Sequence, residues 1–227
     1  MPSRRYKALL VDFYGTLVRE DGAIINRIAD AIAARSALTR DRGAILRGWD
    51  FTERCAAAFG AGFQTQRTIE QESLAALLTR HRVDLDAAAL SAELFAYWRA
   101  PEAQPSTAAF LATVDVPMCV VSNIDADDLD AAIAHHGWRF EHIVTSEGCR
   151  AYKPRPEPFR AALERLGLGP ADVLHVGDSL GSDVAGAGAV GIAAAWLNPH
   201  RRPLPTDAPH TPAHVIDDLA EVSALLS

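Results

Sequence analysis

Cysteine is scarce in this chain and poorly placed for pairing. Cys55, Cys119 and Cys149 are the whole complement among 227 residues, odd in number, far apart and without a Cys-x-x-Cys pair, so neither a disulfide framework nor a zinc site is expected. Cys119 lies inside an apolar run and reads as a small core residue. Long apolar runs are lacking as well: none reaches the length of a membrane span, and the first hydrophobic stretch is interrupted after a few residues by Asp12. A cytoplasmic location is therefore the default expectation, with no membrane partner. Blocks of like charge are missing too. Lys and Arg total 22 against 29 Asp and Glu, a formal net charge of −7, and the interspersed signs recommend no nucleic acid or anionic surface as partner. No repeat or low-complexity segment is evident. What remains is 49% hydrophobic and 22% charged, the balance of a globular protein long enough for one large core or a core with a smaller appendage.

What is present is an alternation of short apolar runs and helical patterns. Lys7-Ala8-Leu9-Leu10-Val11 is too short for an amphipathic helix and reads as a strand buried on both faces. Asp12 then stands at its carboxyl end, where open α/β sheets bind ligands. Apolar runs at 116–121, 142–144, 172–176 and 193–197 predict further strands, separated by helical spacing over 106–114, 125–137, 156–166 and 184–190. A Pro-rich surface loop over 199–212 and a terminal helix over 217–226 complete the chain. Such alternation predicts a doubly wound parallel sheet of the α/β class. Between 19 and 100 it stops: helical spacing recurs over 24–34, 42–58, 68–80 and 86–98, with a break at Gly60-Ala61-Gly62. The expected organisation is a core made of 1–18 and 101–227, interrupted by an all-helical unit of 19–100.

The chemistry-bearing residues fall after predicted strands, which brings them to one edge of a parallel sheet. Asp12, alone, reads as a turn or cap residue. Ser122, followed by Asn123, ends the second strand, where a serine caps a helix as readily as it binds an anion. Lys153 stands in Lys153-Pro154-Arg155-Pro156-Glu157-Pro158-Phe159 and, alone, is a solvated loop residue. Asp178 and Asp183 lie five apart in Gly177-Asp178-Ser179-Leu180-Gly181-Ser182-Asp183 and are caps by themselves. Together with Asp12 they form a hard-oxygen set that favours Mg²⁺ over softer metals. Asp12 and Asp178 side by side repel unless a cation sits between them.

In this order and spacing the four stretches resemble the signatures of the haloacid dehalogenase superfamily. The resemblance implies a Rossmann-like core with a helical cap over the site. It makes Asp12 the nucleophile, and gives Mg²⁺ to Asp12, the backbone carbonyl of Tyr14 and Asp178, with Asp183 in support. Thr16, Ser122 and Asn123 fall to binding a small anionic substrate, and Lys153 to balancing charge. Arg47 falls where related dehalogenases place a cap arginine, although a lone helical Arg is also ordinary solvated surface.

Tyr14 occupies the position of the second Asp that protonates the leaving oxygen in phosphatases of this family, and its own hydroxyl is a candidate donor. General acid–base catalysis is typically worth about 10²–10⁴-fold, so its loss slows a phosphatase without abolishing it. The Lys153 loop and Asp178 favour an Mg²⁺-dependent phosphomonoesterase. Tyr14 suits a 2-haloacid dehalogenase, whose halide leaves without a proton. A catalytically silent module that binds a phospho-ligand is the third reading. Monomer and homodimer stand equally open.

Overall fold

The computed structural model describes residues 5–226; positions 1–4 and 227, counted with the core above, lie outside it. The chain enters at β1 (Ala8–Val11). It then runs through α1 (Gly22–Arg35), α2 (Arg42–Arg47), α3 (Phe51–Ala57), α4 (Gln66–His81) and α5 (Ala87–Arg99). From α6 (Thr107–Thr113) onward strands and helices alternate: β2 (Met118–Ser122), α7 (Ala126–His136), β3 (His142–Thr145), α8 (Ser146–Cys149) and α9 (Pro156–Leu166). They continue as β4 (Val173–Gly177), α10 (Ala185–Ala189), β5 (Ala193–Leu197), β6 (His214–Ile216) and α11 (Val222–Leu225).

The strands form one parallel six-stranded sheet in the order β3-β2-β1-β4-β5-β6. Leu10 pairs with Cys119 on one side and His175 on the other, which fixes β1 at the centre. Alternation along β1 explains why it is apolar throughout. Leu9 and Val11 join one cluster with Val120 and Val176, whereas Ala8 and Leu10 join another with Cys119 and Val121. Both faces are thus covered by helices, as parallel sheets require. The order reverses between β1 and β4, the point at which carboxyl ends open a crevice.

Three sequence expectations change. The helix predicted over 42–58 is two helices, because Gly48-Trp49-Asp50 breaks it and turns Trp49 inward against Ser73. The sheet gains β6, a strand too short to leave a periodic signal. The terminal helix shrinks to a 3₁₀ turn at Leu219–Glu221, held by an Asp218–Glu221 capping box, and the short α11.

The helices α1–α5 lie over the carboxyl edge of the sheet, and one contact set ties them there. Asp125, after β2, accepts the backbone N–H groups of Gln66 (2.7 Å) and Arg67 (3.0 Å). It thereby satisfies orphan donors at the start of α4. Asp128, fully buried on α7, receives both arms of the Arg67 guanidinium at 2.7 and 2.6 Å and Arg99 at 3.0 Å.

Candidate active site

Asp12 follows β1 directly and is pinned by its own N–H, which donates to Val176 O at 2.9 Å. Lys153 reaches it from below. Its ammonium donates to Asp12 Oδ1 (2.7 Å), Asp183 Oδ1 (2.6 Å) and Val121 O (2.8 Å). All three ammonium protons therefore have fixed acceptors, the condition for burying a lysine. Lys153 does not follow its strand at once: α8 intervenes after β3, and the loop is set by Asn123. The Asn123 amide accepts from Lys153 N (2.7 Å) and donates to Lys153 O (3.1 Å). Asn123 thus positions Lys153, while Ser122 ends β2 as a buried residue beside it. Thr16 Oγ donates to Asp12 Oδ2 at 3.3 Å.

Asp183 sits in a wide π-helical turn, Leu180–Val184, which precedes α10. Besides Lys153 it accepts from His175 Nε2 (3.0 Å) and from Ser179 N (3.0 Å). Burial opposes its charge, but Lys153 and His175 overcome this and hold its carboxyl below the usual range. Burial lowers the His175 pKa despite the Asp183 bond. Sequence reasoning missed His175. The available signal was a histidine in the middle of an otherwise apolar strand.

Asp178 completes the group. Its carboxylate, with those of Asp12 and Asp183, offers oxygen atoms within 4.8 Å of one another. Carboxylates at such separations repel by about 3–4 kcal/mol at an effective dielectric of about 20. Lys153 alone cannot offset three charges. Burial first, then Asp12 and Asp183, push the Asp178 carboxyl up to about 8. Asp12 is raised to about 6, chiefly by burial, with Lys153 pulling the other way.

Two glycines make the cluster possible. Gly15 has φ +90°, and a Cβ there would lie 2.5 Å from Asp178 Oδ1; a Cβ on Gly177 would lie 2.3 Å from Asp183 Cγ. Three carboxyl groups that draw together, two buried and Asp178 half-buried at a cavity it shares with Gly15 and Thr16, make an all-oxygen set that fits Mg²⁺.

Tyr14 is placed differently from the donor expected of it. Its hydroxyl gives its proton to Trp98 O at 2.5 Å, tying the loop after β1 to the end of α5. Burial and nearby carboxylates raise its pKa further. It is therefore a strut between sheet and helices rather than a proton source. Arg47 is the predicted site residue that the structure does not bring to the others. It is exposed at the end of α2, facing Asp41 at 3.5 Å.

Beside the site, reached through Tyr14 and Asn123, lies a cavity of about 310 Å³ whose walls also include Trp49, Phe51 and Trp98 together with Glu20, Asp21 and Glu70. A second cavity shares Phe51, Thr52, Gln66 and Asn123 with it and extends to Lys153. None of these acids was foreseen: Glu20 and Asp21 precede α1 in a loop, and helical periodicity does not tell that Glu70 of α4 turns inward. Among the described residues no helix is long and apolar enough to cross a membrane.

A family model described as haloacid dehalogenase-like hydrolase matches residues 6–191. The haloacid dehalogenase-like hydrolase domain-containing protein 3 of Danio rerio is 37% identical over 109 residues, 47% of this chain but only 44% of that protein. The (S)-2-haloacid dehalogenase of Pseudomonas sp. strain YL is 26% identical over 85% of this chain and 82% of its own length. The phosphoserine phosphatase of Thermus thermophilus is 36% identical over 40% of this chain and 35% of that protein. In structure, the L-2-haloacid dehalogenase of Xanthobacter autotrophicus superposes with a TM-score of 0.75 at 25% identity, covering 97% of this chain and 98% of that one. Both chemistries are thus represented among similar proteins.

Proposed function

Because the chain belongs to the haloacid dehalogenase-like hydrolases, we propose that it is a magnesium-dependent phosphomonoesterase working through an aspartyl phosphate on Asp12. The observation that carries this reading is the Asp12–Asp178–Asp183 cluster with Lys153 as its fixed cation. A dehalogenase attacking a neutral carbon has no use for the charge of Asp178. A phosphatase needs it to hold Mg²⁺. Asp12 and Asp178 would hold that ion, with Asp183 behind them, and the ion would neutralise charge on the phosphoryl oxygens.

Asp12, a carboxylate at neutral pH, attacks phosphorus in line; the bond from phosphorus to the leaving oxygen breaks, and an acyl phosphate forms. Water then attacks the same phosphorus, the Asp12–phosphorus bond breaks, and inorganic phosphate departs. Lys153 keeps one Asp12 oxygen oriented and offsets the repulsion between nucleophile and substrate. Asp183 and His175 fix Lys153 in turn. Since the Tyr14 proton is committed to Trp98, the leaving oxygen lacks the usual donor, and esters of acidic alcohols such as phenols suit the site best.

The dehalogenase reading is supported by the Tyr at position 14 and by the likeness over most of the chain to the dehalogenases of Pseudomonas and Xanthobacter. Against it, Arg47 is exposed and faces Asp41, and the cavity walled by Tyr14, Trp49 and Trp98 has no basic residue in its lining among those described, so the arginine expected to hold a haloacid carboxylate is not at the site. Incubation with phenyl phosphate in Mg²⁺ or in EDTA, with 2-chloropropionate in parallel, separates the two. Magnesium-dependent phosphate release that disappears in Asp12→Asn and falls at least about 10²-fold in Asp178→Asn is expected. Halide release indifferent to EDTA would overturn the proposal.

A further inference from the structure

The cavity bordered by Tyr14 and Asn123, next to the Asp12 loop, has an unusual charge for an enzyme acting on anions. Glu20 stands exposed at its mouth, Asp21 is half-buried, and Glu70 is buried at 2% exposure. Among the described residues no Lys, Arg or His lines it. Asp21 is partly satisfied by Trp98 Nε1 at 2.7 Å, but Glu70 Oε1 is buried without any hydrogen-bond partner. A buried carboxyl oxygen left so is costly, and such groups persist where function needs them. Burial and the nearby Asp21 push the Glu70 carboxyl up to about 8, so the group sits largely neutral until a positive charge arrives. Trp49, Trp98, Phe51 and Tyr14 supply aromatic walls, whose faces attract cations and accept apolar bodies.

Resting on the phosphatase reading, we propose that the substrate is a phosphomonoester whose leaving group carries an ammonium cation on an apolar or aromatic body, with the cation received by Glu70 and Asp21. The phosphoryl group then lies at Asp12 and Lys153, and the opposite end of the molecule enters the acidic cavity. The geometry allows this because the cavity shares Phe51 and Asn123 with the one that reaches Lys153. Substrates anionic at both ends are disfavoured, because among the described residues Asp21 and Glu70 have no ion-pair partner and no Lys, Arg or His lines this cavity. The selectivity is therefore set by helices α1, α3, α4 and α5 rather than by the sheet edge.

The test uses three aryl phosphates on one ring, 4-(aminomethyl)phenyl, 4-(hydroxymethyl)phenyl and 4-(carboxymethyl)phenyl phosphate, whose phenolic leaving groups differ little in acidity. Expected is a kcat/KM order of ammonium, neutral, carboxylate, with about tenfold or more between the first two and a ratio that collapses towards unity in Glu70→Gln. Phosphate release with no such preference, or a preference that Glu70→Gln leaves intact, overturns the inference while sparing the phosphatase reading. Absence of phosphate from all three sinks the phosphatase reading instead. Binding then decides the cavity's role separately: benzylammonium should quench Trp49 and Trp98 fluorescence saturably, benzyl alcohol much less, and Glu70→Gln should weaken the ammonium at least about fivefold. Equal response to the two probes rejects a cation site.

Discussion

The floor and the roof of this site treat negative charge in opposite ways. On the floor, Lys153 touches both Asp12 and Asp183, and His175 and Ser179 N–H donate to Asp183 as well. In the roof, Glu70 has one oxygen with no partner at all, and Asp21 has an indole N–H but no cation. Both regions are acidic, and each holds a buried carboxyl group. The difference is that the floor carries its own positive charge, so it holds a carboxylate ionised as a nucleophile, whereas the roof leaves its charge to be matched by whatever enters. In the function proposed, the paired carboxylate performs the chemistry and the unpaired one recognises.

The strongest way to break that contrast is to make the floor resemble the roof. Lys153→Met leaves Asp12 and Asp183 facing each other in the interior with no cation between them. Removing one member of a buried ion pair typically costs about 3–5 kcal/mol, because the other is left uncompensated. Urea unfolding in EDTA should show a loss of that size, and kcat of the folded fraction with phenyl phosphate should fall by about 10²–10³ or more. A variant as stable as the wild type would mean that Asp12 and Asp183 are protonated in the fold and that the floor is not a charged pair.

The floor was legible in the sequence and the roof was not, for a physical reason. Asp12, Ser122 and Asp178 stand at strand ends, and a parallel sheet places every such end on one edge whatever the details of packing. Lys153 was legible only through its proline-rich motif, since the intervening α8 and the Asn123 clamp that aim it leave no periodic trace. Arg47 shows the opposite case. Resemblance in position to the cap arginine of related dehalogenases put it at the site, but Gly48 ends α2 just beyond it, and the side chain turns to solvent beside Asp41. Glu70 lies in α4, whose neighbours Ile69, Ser73 and Leu74 are equally buried. Nothing in that spacing separates an inward glutamate from an outward one. His175 and β6 were missed because one residue type in one strand, or three residues of strand, carry too little signal.

The roof can be sharpened by titration. Glu70 has a folded pKa of about 8 against the ordinary 4.5, so between those values the folded protein holds a proton that the unfolded chain releases. Its contribution is therefore fully present at acid pH and is lost as pH rises through that window, by up to about 1.4 kcal/mol per pH unit. Glu70→Gln, which cannot ionise, should flatten the profile. Urea unfolding of both proteins in EDTA from pH 5 to pH 8 isolates the effect from Asp12 and Asp178, which are common to both. The gap between them should widen in favour of the variant as pH rises. Parallel profiles would show that Glu70 is solvated and ionised in the fold, and the roof would lose its distinction from an ordinary polar surface.

The smallest expected effect lies just outside the roof, at Arg47. Its side chain is 74% exposed and meets Asp41 only at 3.5 Å, a geometry in which surface ion pairs contribute about 0–1 kcal/mol. Arg47→Ala should shift unfolding by no more than about 0.5 kcal/mol and leave kcat/KM for phenyl phosphate unchanged. The value of so small an effect is that the competing chemistry predicts a large one. A dehalogenase needs a cation for the carboxylate of its substrate, and α2 offers Arg47 next to Leu46, which does line the cavity. If Arg47→Ala abolished halide release from 2-chloropropionate, the arginine would have to swing inward on binding. The roof would then carry a positive charge after all, and the contrast with the floor would close.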